Sequence, residues 1–337
     1  MITRVGIIGA TGYTALETFR LLLRHPHAQV TVATSRSEVG QTISQVHPVL
    51  SGLSSLRVTA YDPASIARDC DVVMCCLPHG ASAESVRELI NAGLRVIDFS
   101  ADFRLSDATV YAHHYGVEHP WPERVGKTVY GLPEWYADQI AGADLVANPG
   151  CYPQSAILPL GPLLKAGVID PNDIVIDSKS GVSGAGRSPK LNSLYCEANE
   201  SISAYAVGNH RHLPEITDLL CRFSGSAPDV VFTPHLTPMD RGILSTIYVR
   251  PNQSLQPDDV MQIWTHAYVH SSFVHAVEHL PATKHVANTN HVQMAVRLSG
   301  NRMVLLCVID NLIKGASGAA VQNMNVMFGY DQQLGLL

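Results

Sequence analysis

Residues 5–12, Val5-Gly6-Ile7-Ile8-Gly9-Ala10-Thr11-Gly12, run an apolar, β-branched stretch straight into a glycine-rich turn. An apolar-periodic stretch follows, with Leu16, Phe19, Leu22 and Leu23 on one face, until Pro26 stops it. Strand, glycine turn and helix in that order commit the start of the chain to an α/β unit. Glycines at 6, 9 and 12 permit a tight turn and close approach of the backbone to a pyrophosphate, whose charge meets the helix N-terminus. Gly9, Thr11, Gly12 and Tyr13 are therefore candidate cofactor contacts. The alternation continues with strands at 30–33, 72–76, 95–98 and 145–147 and a helix over 82–92. It predicts a parallel sheet with right-handed crossovers and ligands at the carboxyl ends of its strands. The second strand ends in Thr34-Ser35-Arg36-Ser37, with no acid for the ribose hydroxyls of NAD. Ser35 and Arg36 suit a 2′-phosphate instead, which points to NADP(H).

After residue 151 the pattern changes. Strands are expected at 174–177, 230–232, 243–249, 292–298 and 303–309, with a hairpin at Ser299-Gly300-Asn301. The second half thus reads as a mixed, largely antiparallel sheet, and the fold class as α/β with a Rossmann-type doubly wound parallel sheet beside it. A small-residue-rich helix is expected from 315 to 327. Pro159 and Pro162 fall inside the helical pattern that begins near 151, and an interior proline costs roughly 3 kcal/mol, so a kink or split near Pro159 is expected.

At 337 residues, 46% hydrophobic and 15% charged, the chain has enough apolar material for two domains. A net charge of −6 with no basic run excludes a nucleic-acid partner, and no apolar run is long enough to span a bilayer. Seven cysteines without framework spacing, and an N-terminus that runs into a strand without a signal peptide, point to a reducing, cytoplasmic compartment.

The chemistry concentrates in Asn148-Pro149-Gly150-Cys151-Tyr152-Pro153. This places Cys151 on a tight turn between an apolar strand and an apolar helix, where the helix N-terminus favours the thiolate. His210-Arg211-His212-Leu213-Pro214-Glu215 supplies candidates for acid/base work: His212, or His210 in its place. Glu215 either orients a histidine or sits as a helix N-terminal carboxylate. No second cluster at ligand spacing accompanies the histidines, so no metal is expected. Residues 178–187 alternate small side chains in a pattern that can form an anion-holding backbone nest ending at Arg187, and Arg104 ends another strand. Arg104, Ser183 and Arg187 are the candidate substrate anchors. His25, His27, His113, His114 and His285 read as surface or capping residues.

These motifs occur together in a known family. The chain resembles the N-acetyl-γ-glutamyl-phosphate reductases through residues 9–14, 98–104, 130–134, 148–153, 180–187, 210–215, 232–236, 241–244 and 310–316. Ala15 departs from the glycine often found in the family, and Pro159 is also unusual. The resemblance implies an NADP-binding Rossmann domain over 1–150, completed by a C-terminal helix within 311–337, and a catalytic and oligomerisation domain over 151–310. It implies Cys151 as nucleophile and the His-Arg-His segment as the source of the acid/base. Cofactor contacts are implied at the glycine turn, at Leu77 and Pro78, at Ser183 and Gly184, and at Lys314, Gly315 and Gly318. The implied activity is NADPH-dependent reduction of a small acyl phosphate, N-acetyl-γ-glutamyl phosphate, to its semialdehyde through a cysteine thioester, in arginine biosynthesis, by a homodimer or homotetramer. The competing readings are an aspartate-semialdehyde dehydrogenase-like reductase, a non-catalytic NADP-binding sensor, and a cysteine hydrolase that would leave the glycine turn unexplained.

Overall fold

The computed structural model describes residues 2–252 and 254–337; Met1 and Gln253 lie outside them. The chain divides into two compact units, Met1–Pro149 with Ala316–Leu337, and Gly150–Gly315.

The first unit carries β1 (Thr3–Ile8), β2 (Ala28–Thr34), β3 (Val58–Thr59), β4 (Val72–Cys75), β5 (Arg95–Asp98), β6 (Val129–Tyr130) and β7 (Leu145–Ala147). They form one seven-stranded sheet in the order β3-β2-β1-β4-β5-β7-β6. Every pairing is parallel, the doubly wound arrangement the alternation calls for. Strand order reverses between β1 and β4, which puts the glycine turn after β1 at the switch point. β4, in the middle of the sheet, is apolar and buried at every position because helices cover both faces. Ile66, Val73, Val86, Leu89, Val96, Phe103 and Leu145 form the core on one side, each fully buried aliphatic worth about 1.5–3 kcal/mol. The last helix, Gly318–Met327, packs on the Tyr13–Leu22 and Pro133–Ala141 helices. His25 departs from its expected surface position. It is buried, with Nε2 bonded to Asn325 Oδ1 at 2.8 Å and Nδ1 accepting from the His27 N–H.

The second unit carries β8 (Ile169–Gly181), β9 (Ser203–Ala204), β10 (Val230–Thr237), β11 (Ile243–Pro251), β12 (Val274–Ala276), β13 (Val292–Ser299) and β14 (Arg302–Ile309). Their order is β12-β13-β14-β11-β8-β10-β9. Only β12/β13 and β8/β10 pair in parallel among the described residues. The β13/β14 hairpin closes at Ser299 and Arg302, with Gly300 left-handed at φ 59°.

The helix Cys151–Lys165 is the centre of this unit. Residues 152–164 are all buried, and it packs on β11, β14 and the Leu213–Ser224 helix. It runs as one element through Pro159 and Pro162, so the expected split does not occur. Pro162 has no N–H to offer Leu158 four residues earlier, and the Tyr268 hydroxyl donates to that carbonyl instead at 2.6 Å. Trp264 Nε1 donates to the Pro159 carbonyl at 2.9 Å. The chain leaves the unit after Gly315 rather than after 310. Asp310 accepts from Arg241, and Asn311 bonds both Ser183 and the Gly242 N–H, which ties this stretch to the second sheet.

Candidate active site

Asn148 follows β7 and is fixed on several sides. Its N–H donates to the Asp98 carbonyl at 2.8 Å, its side chain donates to the Ala316 carbonyl at 2.9 Å, and Asn323 donates to its Oδ1. Arg104 is buried, donating from Nε to the Asn148 carbonyl and from Nη2 to the Phe99 carbonyl, at 2.8 and 2.7 Å. Its guanidinium therefore serves the backbone three residues before Cys151 in the chain, not the open surface a substrate anchor would occupy.

In the second unit Gly150 is the N-cap and Cys151 the first residue of the long helix. Cys151 is half-buried and in no disulfide. The Gly150 N–H donates to Glu215 Oε1 at 2.9 Å, in a buried setting. The Glu215 carboxylate, itself in the first turn of the Leu213–Ser224 helix, thus grips the turn that carries Cys151. Gly315 comes equally close: a Cβ there would lie 2.8 Å from Cys151 Cβ, so only glycine fits.

Beside this turn stands an aromatic box. The ring of Tyr152 lies 5.4 Å from His210 and 5.9 Å from His212, and the two imidazoles are 5.0 Å apart. His210 Nδ1 accepts from the His212 backbone N–H at 3.0 Å, which leaves the proton of the neutral ring on Nε2. Burial, reinforced by the neighbouring Arg211 charge, pushes the His210 pKa down to about 4. His210 is thus held neutral. Tyr205 lies 5.5 Å from His210 and its hydroxyl bonds that of Tyr152 at 3.0 Å. Burial raises both phenols above the usual range, Tyr205 to about 12, so both stay protonated. Neither tyrosine was an expected site residue. The only signals were adjacency to Cys151 for Tyr152 and closeness in sequence to His210 for Tyr205.

The candidate cofactor residues of the first unit converge at the switch point. Gly9 is left-handed at φ 79°, and a Cβ on it would lie 2.7 Å from the Cys76 carbonyl and 3.2 Å from Leu77. The glycine turn therefore abuts the Leu77-Pro78 end of β4. Gly12 opens the Tyr13–Leu22 helix, whose first turn has neither an acid nor a side-chain cap. A Cβ on Gly12 would meet nothing nearer than Thr14 Oγ1 at 3.9 Å. Uncapped N–H groups facing open space fit an anionic pyrophosphate. His47 supports the turn through the Ala10 carbonyl at 2.7 Å, a role with no sequence signal. Ser35 follows β2, and Arg36 beyond it is exposed with no hydrogen bond or ion pair among the described residues, as a 2′-phosphate partner would be. Gly318 starts the last helix, and the preceding Ser317 hydroxyl donates to the Thr14 carbonyl.

The remaining candidates lie in the second unit. Lys314 is fully buried in the turn Ile313–Ser317. The N–H groups of Gly181, Val182, Ser183 and Gly186 bond the carbonyls of Gly242, Met239, Asp240 and Ser183, so they do not form the expected anion nest. The Ser183 hydroxyl likewise donates to the Asp240 carbonyl and accepts from Asn311. Gly184 and Arg187 are exposed on this loop. Among the described residues no group of three or more His, Cys, Asp or Glu side chains is placed to hold a metal, and no helix is long and apolar enough to cross a membrane.

Residues 4–143 match the family model for the semialdehyde dehydrogenase NAD binding domain, and residues 151–311 that for the semialdehyde dehydrogenase dimerisation domain. The chain is 62% identical to an N-acetyl-gamma-glutamyl-phosphate reductase of Rhodopirellula baltica, over 99% of this chain and 98% of that one. It is 47% identical to a protein of the same name from Desulforudis audaxviator, with the same coverage. Among solved structures it resembles aspartate semialdehyde dehydrogenase with NADP from Candida albicans (TM-score 0.75, 16% identity, 97% of this chain and 99% of that one). It also resembles aspartate semialdehyde dehydrogenase II complexed with ASA from Vibrio cholerae (TM-score 0.72, 17% identity, 98% and 99%). At these identities the structural likeness concerns the fold.

Proposed function

The chain belongs to the N-acetyl-γ-glutamyl-phosphate reductases of the semialdehyde dehydrogenase family, and from that premise we propose that it reduces N-acetyl-γ-glutamyl phosphate to N-acetyl-L-glutamate 5-semialdehyde and phosphate, with NADPH, in arginine biosynthesis. The observation that carries the proposal is a cysteine, Cys151, at a helix N-terminus whose N-cap N–H is gripped by Glu215, on a turn whose Tyr152 ring lies against the His210/His212 pair.

The Cys151 sulfur attacks the γ-carbonyl carbon. The carbon–oxygen bond to phosphate breaks, phosphate leaves with the electron pair, and a thioester remains. His212 takes the thiol proton and returns it to the departing phosphate. Pro153 has no N–H, so the backbone N–H groups of Cys151 and Tyr152 are the oxyanion donors at this helix start, each worth about 3 kcal/mol in rate. NADPH, when bound, would supply the hydride that reduces the thioester carbon. Collapse of the resulting tetrahedral adduct expels aldehyde and restores the thiolate, which draws its next proton from solvent. Gly9, Thr11, Gly12 and Tyr13 would hold the pyrophosphate, and Ser35 and Arg36 the 2′-phosphate. Leu77, Pro78, Gly184, Lys314, Gly315 and Gly318 are the further cofactor contacts of this reading, and Arg187, exposed on its loop, is the substrate-anion anchor. The working form is a cytoplasmic homo-oligomer.

The test is phosphate-dependent reduction of NADP by N-acetylglutamate semialdehyde, followed at the nicotinamide absorbance. Turnover with this aldehyde well above that with aspartate semialdehyde is expected. Preference for the free amino acid, or turnover indifferent to phosphate, overturns the proposal.

A further inference from the structure

One buried carboxylate holds the loop that leaves β4. Asp102 is 1% exposed. Its Oδ1 accepts from the Gly80 N–H at 2.8 Å and from the Tyr111 hydroxyl at 3.0 Å. Its Oδ2 accepts from the Ser82 and Ala83 N–H groups at 3.2 and 3.1 Å. An ionised carboxylate is acceptor-only, with about four lone-pair sites, so these donors use it fully. The Ser82 and Ala83 bonds cap the Ala83–Asn91 helix from outside, for the Ser82 side chain makes no cap bond. The Ser82 hydroxyl donates instead to Oδ1 of buried Asp98 at 2.5 Å.

Helix capping alone does not account for this arrangement. Gly80 lies before the helix, left-handed at φ 76°, and still donates to Asp102. His79 lies before it too, and its Nδ1 accepts from the Ala101 N–H at 2.8 Å. The loop that begins with Leu77 and Pro78 is therefore hung on residues 98–102 both in the loop itself and at the helix start. Residues 98–104 also hold the end of β7. The Asp98 carbonyl accepts from the Asn148 N–H, and Arg104 Nε donates to the Asn148 carbonyl, each at 2.8 Å.

We infer that Asp102 is a positioning residue for the cofactor, which fixes the loop after β4 in its NADPH-binding shape before NADPH arrives. The inference rests on the reading of Leu77 and Pro78 as cofactor contacts and adds what holds them. A loop ordered in advance has little conformational freedom left to lose on binding, and the difference is kept as affinity. The Asp102 carboxylate bonds the loop, whereas Asn148 is held by Asp98 and Arg104. Loss of Asp102 therefore acts on NADPH and spares the acyl phosphate.

Hydrogen exchange over residues 79–83 of the full chain, with and without NADPH, tests the order of events. Slow exchange without NADPH, little changed by its addition, is expected. Fast exchange that slows only when NADPH binds overturns the inference. In Asp102→Asn one oxygen becomes an NH2 group, which cannot accept from the loop. Titration calorimetry should show NADPH binding weakened roughly tenfold in this variant, with the KM for the acyl phosphate within about twofold of the unmodified value. Tyr111→Phe removes a donor to the same carboxylate from outside the loop, and should lower stability while keeping the NADPH affinity within about twofold. A folded Asp102→Asn protein with unchanged NADPH affinity, or a Tyr111→Phe protein that loses as much, reduces Asp102 to a structural group and leaves the cofactor reading intact. If Asp102→Asn fails to fold, hydrogen exchange of the unmodified protein decides. An unmodified protein that binds no NADPH removes both.

Discussion

Replacing His210 by asparagine separates the two histidines on physical grounds. His210 is buried and held neutral, with its pKa pushed down to about 4 from 6.5. Below pH 6.5 the unfolded chain binds a proton at this residue, and the folded chain does not until about pH 4. The stability His210 contributes is thus complete above pH 6.5 and is lost as the pH falls through 4. At 1.36 kcal/mol per pH unit the whole loss is ~3 kcal/mol, of which ~2 kcal/mol falls between about pH 7.5 and pH 5. In His210→Asn the amide oxygen can replace Nδ1 as acceptor for the His212 N–H, and nothing at the position titrates. Urea unfolding of both proteins at the two pH values is the assay. The unmodified protein is expected to lose ~2 kcal/mol more than the variant on acidification. The variant is expected to keep most of its kcat, because proton transfer is assigned to His212. Parallel losses of stability would refute the assignment of a neutral His210, and loss of most of the kcat would take the proton-transfer role from His212.

Three further outcomes follow from other contacts. Arg36→Ala should raise the KM for NADPH by 10- to 100-fold, the worth of a charge-assisted bond of about 1.5–3 kcal/mol, and leave that for NADH unchanged; equal effects on both would remove the 2′-phosphate role. Glu215→Gln retains an acceptor for the Gly150 N–H, whereas Glu215→Ala leaves that buried donor without it. Steady-state rates should therefore show at least a tenfold larger fall in kcat for alanine than for glutamine, and indistinguishable variants would count against the grip on the turn. Tyr268→Phe removes the hydroxyl that replaces the bond missing at Pro162, and should cost about 1–3 kcal/mol in denaturant unfolding with little change in kcat.

Much of the architecture was legible because it depends on short-range pattern. The strands read at 95–98 and 145–147 coincide with β5 and β7, and the Ser299-Gly300-Asn301 signal falls at the β13/β14 hairpin. Cys151 was legible because glycine before it and proline after it mark a turn into a helix. What escaped depends on partners far along the chain. The prolines at 159 and 162 predicted a break, but Trp264 and Tyr268, about a hundred residues later, supply donors to this helix. Arg104 has the side chain of an anion anchor, and only the fold reveals the two carbonyls it serves. The small residues after β8 look like a nest, yet their N–H groups meet carbonyls of 239, 240 and 242, which sequence spacing cannot forecast. The box of Tyr152, Tyr205 and His210 is likewise built from separate elements and carries no motif of its own.

The central claim is that the acyl group passes through the Cys151 sulfur. Incubating the protein with N-acetyl-γ-glutamyl phosphate in the absence of reduced cofactor, and weighing the tryptic peptide that contains Cys151, measures it directly. The account predicts an N-acetylglutamyl thioester on that peptide, cleared by NADPH and absent in Cys151→Ser. An unmodified peptide alongside full turnover, or a Cys151→Ser protein that still forms aldehyde, would contradict it.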